Sequence, residues 1–353
     1  MRYLNLGYVP APWSQSVYHA LAERLKPGDP VTLVTVSPQT PYVCVGYHQV
    51  ASREIDRAYC ESEGILVGRR KVGGGAVWLD ENQIFWHLLL PGSSLSVEAL
   101  YRSMLVAPVK AYRRLGISAE HRPVNDLVVG PRKIGGTGAA TIGQTLVLVG
   151  SLMMDFDVQQ MSRVLKVPSE KFRDKLVQSL EDYMTTVRRE LGDRMPSREE
   201  ATRVLVESFA EILNEPIEPD QLTHDEWLAV RQEAEALFDP AFVYRDEGWL
   251  QPGVKIRDGV RLWEGVTKAP GGLIRAIWRE ADGRFDDVVL SGDFFIEPPE
   301  TLEVFRRTLL GRPANAEEAA GCWDQVASQA LTPGLTRDHV LAAFSTKSPL
   351  VVT

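Results

Sequence analysis

The sequence is poor in cysteine and has no long apolar segment. Its 353 residues include three cysteines, Cys44, Cys60 and Cys322, which form neither a zinc-binding spacing nor a disulfide framework. No apolar run reaches the roughly 18 residues that cross a bilayer. The N-terminal stretch MRYLNLGYVPAPWSQSVYHALAERL lacks the basic and apolar regions of a signal peptide. We therefore predict a cytoplasmic protein with no membrane partner.

An excess of positive charge is also absent. Lys and Arg number 39 against 47 Asp and Glu, which gives a formal net charge of -8. A protein that binds nucleic acid nonspecifically usually presents a basic surface, so we predict no nucleic-acid partner. The overall charge still permits a local cluster of cations. One such cluster, Arg69, Arg70 and Lys71, is separated from three consecutive glycines by a single residue, Val72.

Grouped rather than alternating β-rich and helical stretches predict an α+β fold. Strands are indicated within 31–48, 65–91 and 124–157, and helices at 53–64, 96–115 and from about 157 to 238. Pro108 is expected to kink or break the helix over 96–115. Ser197 with Glu200, and Thr223 with Glu226, fit the pattern of a capping box.

The last part of the chain has a strand and helix pattern of its own. The stretch DPAFVYRDEGWLQPG at 239–253 is rich in proline, glycine and aromatic residues and predicts a boundary. Three strands are expected after it, then helices at 299–310, 314–330 and 336–345, with Trp263, Trp278 and Phe294 in the core. We predict two domains, 1–246 and 250–353, because about 100 residues can form an independent core.

The glycine run is the first candidate site. Glycine has no Cβ and tolerates positive φ, so the backbone N–H groups of Gly73, Gly74 and Gly75 can turn toward one anion. Arg70 offers a fork that matches phosphate geometry. The alternative is a glycine-rich hairpin on the surface. The loop follows neither of the two standard nucleotide-binding glycine motifs.

The second candidate site is the stretch NDLVVGPRKIGGTG at 125–138. Lys133, at a strand end beside a glycine turn, can stabilise developing negative charge on a phosphate or a carbonyl oxygen. Asp126 is a candidate Mg²⁺ ligand through one carboxylate. A hairpin with a surface lysine and an Asn-Asp turn is the alternative for both residues.

The two sites together resemble a known family. GRRKVGGGAVWLD at 68–80, NDLVVGPRKIGGTG, and GSLMMDFD at 150–157 resemble the motifs of the lipoate-protein ligase family. That family shares its catalytic fold with biotin-protein ligases and octanoyltransferases. VGYHQ at 45–49 and MTTVRREL at 184–191 resemble further segments of the family. The tail, with KAPGGLIRA and VVLSGDFF, resembles its C-terminal accessory domain.

The resemblance implies a mixed β-sheet catalytic domain with helices packed on it, which binds lipoate and nucleotide, and a small α+β accessory domain. It implies that Arg70 meets the nucleotide phosphates and that Lys133 is catalytic, contacting the acyl carbonyl and the phosphate. The rest of the implied nucleotide site is Gly73, Gly74, Gly75, Ala76, Val77, Trp78, Asn125, Asp126 and Thr137. The implied substrates and cofactors are ATP, Mg²⁺ and lipoate.

The implied reaction has two steps. Lipoate attacks the α-phosphate of ATP, which gives lipoyl-AMP and pyrophosphate. The ε-amine of a lysine then attacks the mixed anhydride and releases AMP. The implied partners are lipoyl-domain acceptor proteins, such as 2-oxoacid dehydrogenase E2 subunits or proteins like the glycine cleavage H protein.

The chain departs from the family pattern at three positions. Leu79 stands where a histidine often precedes the aspartate, Val149 stands where the family has the histidine of HGS or HGT, and Gly135 replaces another small residue. These changes remove imidazole groups without altering Lys133. They put the acyl and protein substrates in question.

Two other functions stay open. An octanoyltransferase would need a cysteine nucleophile, but Cys44 lies in an apolar strand, Cys60 in a predicted helix and Cys322 in a tail helix. A noncatalytic protein could use the same pocket to bind lipoate or an acyl-adenylate. The release of pyrophosphate from ATP when lipoate is added would distinguish the ligase from both.

Overall fold

The computed structural model describes residues 1–167, 169–245 and 260–349. The chain divides into two compact units. The first comprises Met1–Cys44, Asp56–Lys71 and Val77–Asp239, and the second comprises Val45–Ile55, Val72–Ala76 and Pro240–Thr353. The second unit thus contains two short segments that the sequence prediction placed in the N-terminal domain. The boundary predicted within 239–253 lies partly outside the described residues, and the limits 1–246 and 250–353 stay a prediction.

Eleven strands lie in the first unit as described. In chain order they are β1 (Arg2–Val9), β2 (Thr32–Pro38), β3 (Tyr42–Val45), β4 (Leu66–Arg69), β5 (Val77–Leu79), β6 (Gln83–Pro91), β7 (Glu120–Arg122), β8 (Asp126–Val129), β9 (Arg132–Ile142), β10 (Thr145–Met153) and β11 (Glu218–Asp220). Eight form one sheet in the order β11-β1-β2-β6-β10-β9-β8-β7, and β4-β3-β5 form a second. In the large sheet β1 runs parallel to β2 and β11, and the other recorded pairs are antiparallel.

Helices cover this sheet. They are α1 (Ala11–Arg24), α3 (Arg57–Ser62), α4 (Val97–Met104), α5 (Val106–Arg114), α6 (Val158–Val164), α7 (Glu170–Tyr183), α8 (Val187–Leu191), α9 (Arg198–Leu213) and α10 (His224–Phe238), while α2 (Ala51–Glu54) belongs to the second unit. All seven residues of β2 are buried, as are eight of the nine in β6. Strands that are buried along their whole length are covered on both faces. The expected mixed sheet with packed helices is confirmed.

The helix predicted over 96–115 is interrupted at a different residue from the one expected. It breaks at Leu105, between α4 and α5, rather than at Pro108. Pro108 lies in the first turn of α5, where its missing N–H leaves no intrahelical hydrogen bond unmade. The capping box of Thr223 and Glu226 is confirmed, and Ser197 accepts the expected bond from the Glu200 N–H.

The second unit contains a four-stranded sheet and helices in the order expected from the sequence. Its strands are β12 (Val260–Ala269), β13 (Gly272–Ala281), β14 (Arg284–Gly292) and β15 (Ser348–Pro349), and its helices besides α2 are α11 (Pro240–Val243), α12 (Thr301–Leu309), α13 (Ala316–Ala327) and α14 (Arg337–Ser345). The sheet order is β14-β13-β12-β15. Trp278 and Phe294 are buried in the core, and Trp263 packs against it half-buried, as predicted.

The glycine loop 72–76 packs within this second unit. A Cβ on Gly73 would lie 2.6 Å from the carbonyl oxygen of Phe294, so the close approach of the two backbones requires glycine. The ring of Phe294 in turn stacks on His48, with ring centroids 5.6 Å apart. Gly74 has φ +95°, which also favours glycine. In the part of the chain that the structure describes, no helix is both long and apolar enough to span a bilayer.

Candidate functional site

Lys133 lies near the start of β9, where this strand pairs with β8. Its Nζ is 2.7 Å from Oδ1 of Asp126, the first residue of β8. Its carbonyl accepts a hydrogen bond from the Thr185 N–H at 2.8 Å, so the segment after α7 is attached to the lysine's own backbone. The Lys133 side chain is 27% exposed. The ammonium is therefore held at a fixed place but remains accessible to a small anion.

The second oxygen of Asp126 has two other donors. Oδ2 accepts from Arg122 Nη2 at 2.9 Å and from the Tyr183 hydroxyl at 3.2 Å. Burial by itself would raise the pKa of this carboxyl, but the cation of Lys133 and the hydrogen bonds from Lys133 and Arg122 outweigh it, and the pKa is lowered. Asp126 is consequently an anion with a donor on each oxygen.

Two glycines of β9 make room for the lysine and its strand. A Cβ on Gly136 would lie 3.3 Å from both Cε and Nζ of Lys133, so the side chain folds back over this position. A Cβ on Gly135 would lie 3.2 Å from the carbonyl oxygen of Ser151 on β10. Gly136 therefore leaves space for the ammonium end of Lys133, and Gly135 allows β9 and β10 to pack closely.

Asn125 and Thr137 bond to each other. Asn125 Nδ2 donates to the Thr137 carbonyl at 2.6 Å, and Thr137 Oγ1 donates to the Asn125 carbonyl at 2.7 Å. This reciprocal pair joins the residue before β8 to β9 and so fixes the register that places Asp126 near Lys133. The structure thus gives both residues a positioning role. Their predicted contact with nucleotide stays a prediction.

Arg70 lies in a polar interior of the first unit. It is 9% exposed, and its Nη1 donates to the Cys44 carbonyl at 3.2 Å. The next residue, Lys71, forms an ion pair with Glu233 at 2.7 Å, and its N–H points to His19 Nε2 at 3.4 Å. The predicted contact of Arg70 with phosphate stays a prediction.

The remaining residues of the predicted nucleotide site are divided between the two units. Trp78 is 4% exposed, and its indole N–H donates to Asp80 Oδ2 at 3.1 Å. Val77 is half-buried in the same strand of the first unit. Gly73, Gly74, Gly75 and Ala76 belong to the second unit. The predicted nucleotide contacts of all six residues stay predictions.

One histidine that sequence reasoning did not single out lies opposite a missing family histidine. His87 on β6 is the antiparallel partner of Val149 on β10. Directly opposed residues present their side chains on the same face of a sheet. His87 is buried beside the ring of Tyr18, with centroids 4.6 Å apart, and burial lowers the pKa of His87 to about 3. The uncharged imidazole of His87, on the neighbouring strand β6, therefore lies on the same face of the sheet as Val149.

The residues present do not fit a Mg²⁺ ion at Asp126. Its two carboxylate oxygens already accept from Lys133, Arg122 and Tyr183, and two of these donors are cations. Among the residues that the structure describes, no group of three or more His, Cys, Asp or Glu side chains could hold a metal. The expected use of Mg²⁺ stays a prediction.

The three cysteines are all buried. Burial raises the pKa of each thiol, to about 11 for Cys60, and the cation of Arg70 offsets only part of the effect at Cys44. The Lys133 hairpin and the neighbouring strand, β8 to β10, contain no cysteine. A reactive cysteine normally has a lowered pKa and some exposure, which makes these thiols poor nucleophiles.

Arg122 and Tyr183 are the site residues that sequence reasoning missed. Arg122 ends β7, and Tyr183 ends α7, 57 positions after Asp126 along the chain. Arg122 stands four residues before Asp126, a spacing that could have suggested the pair. Nothing in the local sequence marks Tyr183, because its contact depends on where α7 ends.

Comparisons with known proteins found a matching family and several relatives. The family described as the lipoyl protein ligase A/B catalytic domain matches residues 12–210. The lipoate-protein ligase A subunit 1 of Thermoplasma acidophilum is 30% identical over 217 residues, which cover 59% of this chain and 79% of that protein. The octanoyltransferase LipM of Kyrpidia tusciae is 28% identical over 263 residues, covering 67% and 94% respectively.

Solved structures extend the comparison to the fold. A bipartite lipoate protein ligase from Thermoplasma acidophilum, described with its E2 lipoyl domain, matches with a TM-score of 0.61 and 29% identity over 66% of this chain and 91% of that one. A lipoate-protein ligase A bound with ATP matches with a TM-score of 0.58 and 25% identity, over 66% of this chain and 94% of that one. LipL1 of P. falciparum in complex with lipoate shares the fold over 92% of this chain and 94% of that one, with a TM-score of 0.69 and 13% identity.

The resemblance drawn from the glycine loop and the Lys133 motif is thereby confirmed at the level of the family. The relatives include both ligases and octanoyltransferases. The chain belongs to the lipoyl protein ligase A/B family, whose catalytic domain it contains.

Proposed function

We propose that this protein is an ATP-dependent lipoate-protein ligase, which makes lipoyl-AMP and transfers the lipoyl group to a lysine of a lipoyl domain. The proposal rests on one feature of the site. The Lys133 ammonium is fixed and partly exposed, and the strands around it, β8 to β10, contain no cysteine. Such a site offers electrostatic stabilisation and no covalent nucleophile. That combination favours an acyl-adenylate over an acyl-enzyme.

In the first step a carboxylate oxygen of lipoate attacks the α-phosphorus of ATP. The bond between the α-phosphorus and the bridging oxygen breaks, and pyrophosphate leaves. The Lys133 ammonium offsets the negative charge that builds on the nonbridging oxygens. A compact ammonium suits this position, because Gly136 leaves space for the side chain to turn over the strand.

In the second step the neutral ε-amine of the acceptor lysine attacks the acyl carbon. The bond between the acyl carbon and the phosphate oxygen breaks, AMP leaves, and the nitrogen loses one proton to solvent. Lys133 stabilises the oxyanion formed on the former carbonyl oxygen. The same cation thus serves both steps, since the carbonyl and the phosphate adjoin in the mixed anhydride.

The similar proteins support the choice of substrates. The lipoate-protein ligase A that shares 25% identity was solved with ATP, and the archaeal ligase that shares 29% identity was described with an E2 lipoyl domain. We propose ATP, lipoate and lipoyl-domain acceptors for this chain by similarity. We also propose that the glycine loop wraps the adenylate and that the C-terminal domain assists its formation, as the resemblance implies.

An octanoyltransferase is the second candidate, and one observation favours it besides the LipM relatives. Cys44 lies beside Arg70, whose cation favours the thiolate, although burial still raises the pKa of the thiol. A transferase would form a thioester on this cysteine and would require no ATP.

A choice of acyl donor tests the proposal. The protein is incubated with an apo lipoyl domain and either lipoate with ATP or octanoyl-acyl carrier protein without ATP, and the intact mass of the acceptor is measured. We expect the lipoyl mass increase with the first donor and none with the second. Acylation with octanoyl-acyl carrier protein alone would refute the ligase assignment and support the transferase. No modification from either donor would favour a noncatalytic binding protein.

A further inference from the structure

The carboxylate of Asp126 holds the Lys133 ammonium on one oxygen and a separate pair of donors on the other. Lys133 Nζ forms an ion pair with Oδ1, whereas Arg122 and the Tyr183 hydroxyl donate hydrogen bonds to Oδ2. Arg122 Nη2 also donates to the Tyr183 oxygen at 3.0 Å. Arg122, Tyr183 and Asp126 therefore form a closed triangle of hydrogen bonds that does not include the lysine.

This arrangement bears on how Lys133 becomes available. In the proposed reaction its ammonium must contact the mixed anhydride, while in this structure it is in an ion pair with Asp126. The Asp126 side chain is only 19% exposed. A carboxylate that is mostly withdrawn from water holds its counterion strongly unless other donors satisfy it. With Lys133 as sole partner, Asp126 would compete with the substrate for the ammonium.

We infer that Arg122 and Tyr183 are positioning residues that satisfy Asp126 when the Lys133 ammonium turns toward the acyl phosphate. The inference rests on the proposed function. Both residues act through Asp126 and do not need to contact the substrate. Their hydrogen bonds to Oδ2 stay in place whichever partner Lys133 has, so they lower the cost of moving the ammonium from Asp126 to the substrate.

The backbone supports this role for Tyr183 in particular. Met184 forms an isolated parallel bridge with Lys133, and the Thr185 N–H bonds to the lysine carbonyl. A second attachment joins Arg132 to Glu190 at 3.3 Å. The end of α7 is thus fixed to the strand that carries the catalytic lysine, and the Tyr183 hydroxyl is held over Asp126. The Tyr183 side chain is otherwise 44% exposed, so little core packing depends on it.

A double-mutant cycle tests the inference. The dissociation constant of a nonhydrolysable lipoyl-sulfamoyl adenosine is measured by calorimetry for the parent, Tyr183→Phe, Lys133→Met and the double variant. We expect Tyr183→Phe to weaken binding about three- to tenfold in the parent, the size of one hydrogen bond, and to change it less than about twofold when Lys133 is already Met. Without the ammonium there is no ion pair for Tyr183 to release.

Arg122 supplies a conservative rescue. Arg122→Gln should weaken binding by more than Tyr183→Phe, because it removes a charged donor, and Arg122→Lys should restore most of the affinity. Tyr59→Phe is the matched control for the hydroxyl, since it removes a bond to Gln160 and leaves Asp126 unchanged. Arg114→Gln is the matched control for the charge, because the ion pair of Arg114 on α5 with Glu211 on α9 does not include Asp126.

The outcomes separate this inference from the function on which it rests. A parent protein that does not bind the analogue refutes the proposed function and the inference together. A parent that binds, with Tyr183→Phe unchanged, refutes the inference alone. An equal loss from Tyr183→Phe in the parent and in Lys133→Met also overturns it, because that result indicates direct contact with the ligand or a general structural effect.

Discussion

Replacing Lys133 with methionine removes the charge and keeps most of the volume. The ion pair with Asp126 is partly buried, with side chains 27% and 19% exposed. Its loss leaves Asp126 with Arg122 and Tyr183 on the other oxygen. We therefore expect a loss of stability of about 1 kcal/mol, between the value for a surface pair and the 3–5 kcal/mol for a fully buried one.

The expected loss of activity is much larger. Removing one preorganised donor to a developing oxyanion typically costs about 10²–10³ in rate. Lys133→Met should lower both ATP–pyrophosphate exchange and single-turnover transfer from preformed lipoyl-AMP by this factor. Lys133→Arg should also be poor, because a broad planar guanidinium does not reproduce a compact charge in the space over Gly136.

A matched control and a stability measurement make the result interpretable. Lys110→Met makes the same chemical change at an ion pair with Glu211 on the surface, and we expect it to leave both rates unchanged. Urea unfolding of each variant separates lost activity from lost folding. A folded Lys133→Met protein with both rates within about threefold of the parent, far below the loss expected for a catalytic donor, would refute the role of Lys133.

Three further predictions concern other parts of the molecule. Replacing Cys44, Cys60 and Cys322 in turn with alanine should leave the rates of adenylation and transfer within about twofold of the parent. A variant that folds but is inactive, together with an acyl adduct on the same cysteine of the parent, would contradict this prediction. The pKa of His87 is about 3 in the folded protein and about 6.5 when unfolded, so unfolding takes up a proton between these values and stability falls as the pH falls through that window. His87→Gln should reduce the slope of unfolding free energy against pH there by up to about 1.4 kcal/mol per unit, measured by urea titration, and an unchanged slope would refute the burial argument. Gly136→Ala should fold normally, because the added Cβ meets the end of the Lys133 side chain rather than backbone atoms, yet lose about ten- to hundredfold in rate through displacement of the ammonium. Full activity in the exchange assay would refute the close contact.

The second unit shows how much of the fold could be predicted from local sequence. Its three long strands and three long helices were predicted in the right order because each has a clear periodicity and is bounded by turn residues. The helix break at Leu105 was missed because the sequence argument relied on Pro108. Proline is tolerated in the first turn of a helix, and only the structure shows where that turn begins.

The candidate site shows a different limit. Lys133 and Asp126 were predicted because both lie in one short motif, seven residues apart in sequence. Tyr183 was not predicted because it reaches Asp126 only through the path of α7. Asn125 and Thr137 were predicted to contact nucleotide, and their bond to each other depends on the register of β8 against β9. Motifs identify reactive groups, whereas their partners across strands depend on tertiary structure.

The most direct test of the account follows an oxygen atom. If lipoate is activated as an adenylate, one carboxylate oxygen bonds to the α-phosphorus and stays with AMP when the acceptor lysine attacks the acyl carbon. Lipoate labelled with ¹⁸O in both carboxylate positions is incubated with ATP, the protein and an apo lipoyl domain, and the AMP is analysed by mass spectrometry. The account predicts AMP that carries a single ¹⁸O atom for each lipoyl group transferred. Lipoylated acceptor accompanied by unlabelled AMP, or by no AMP, would contradict it.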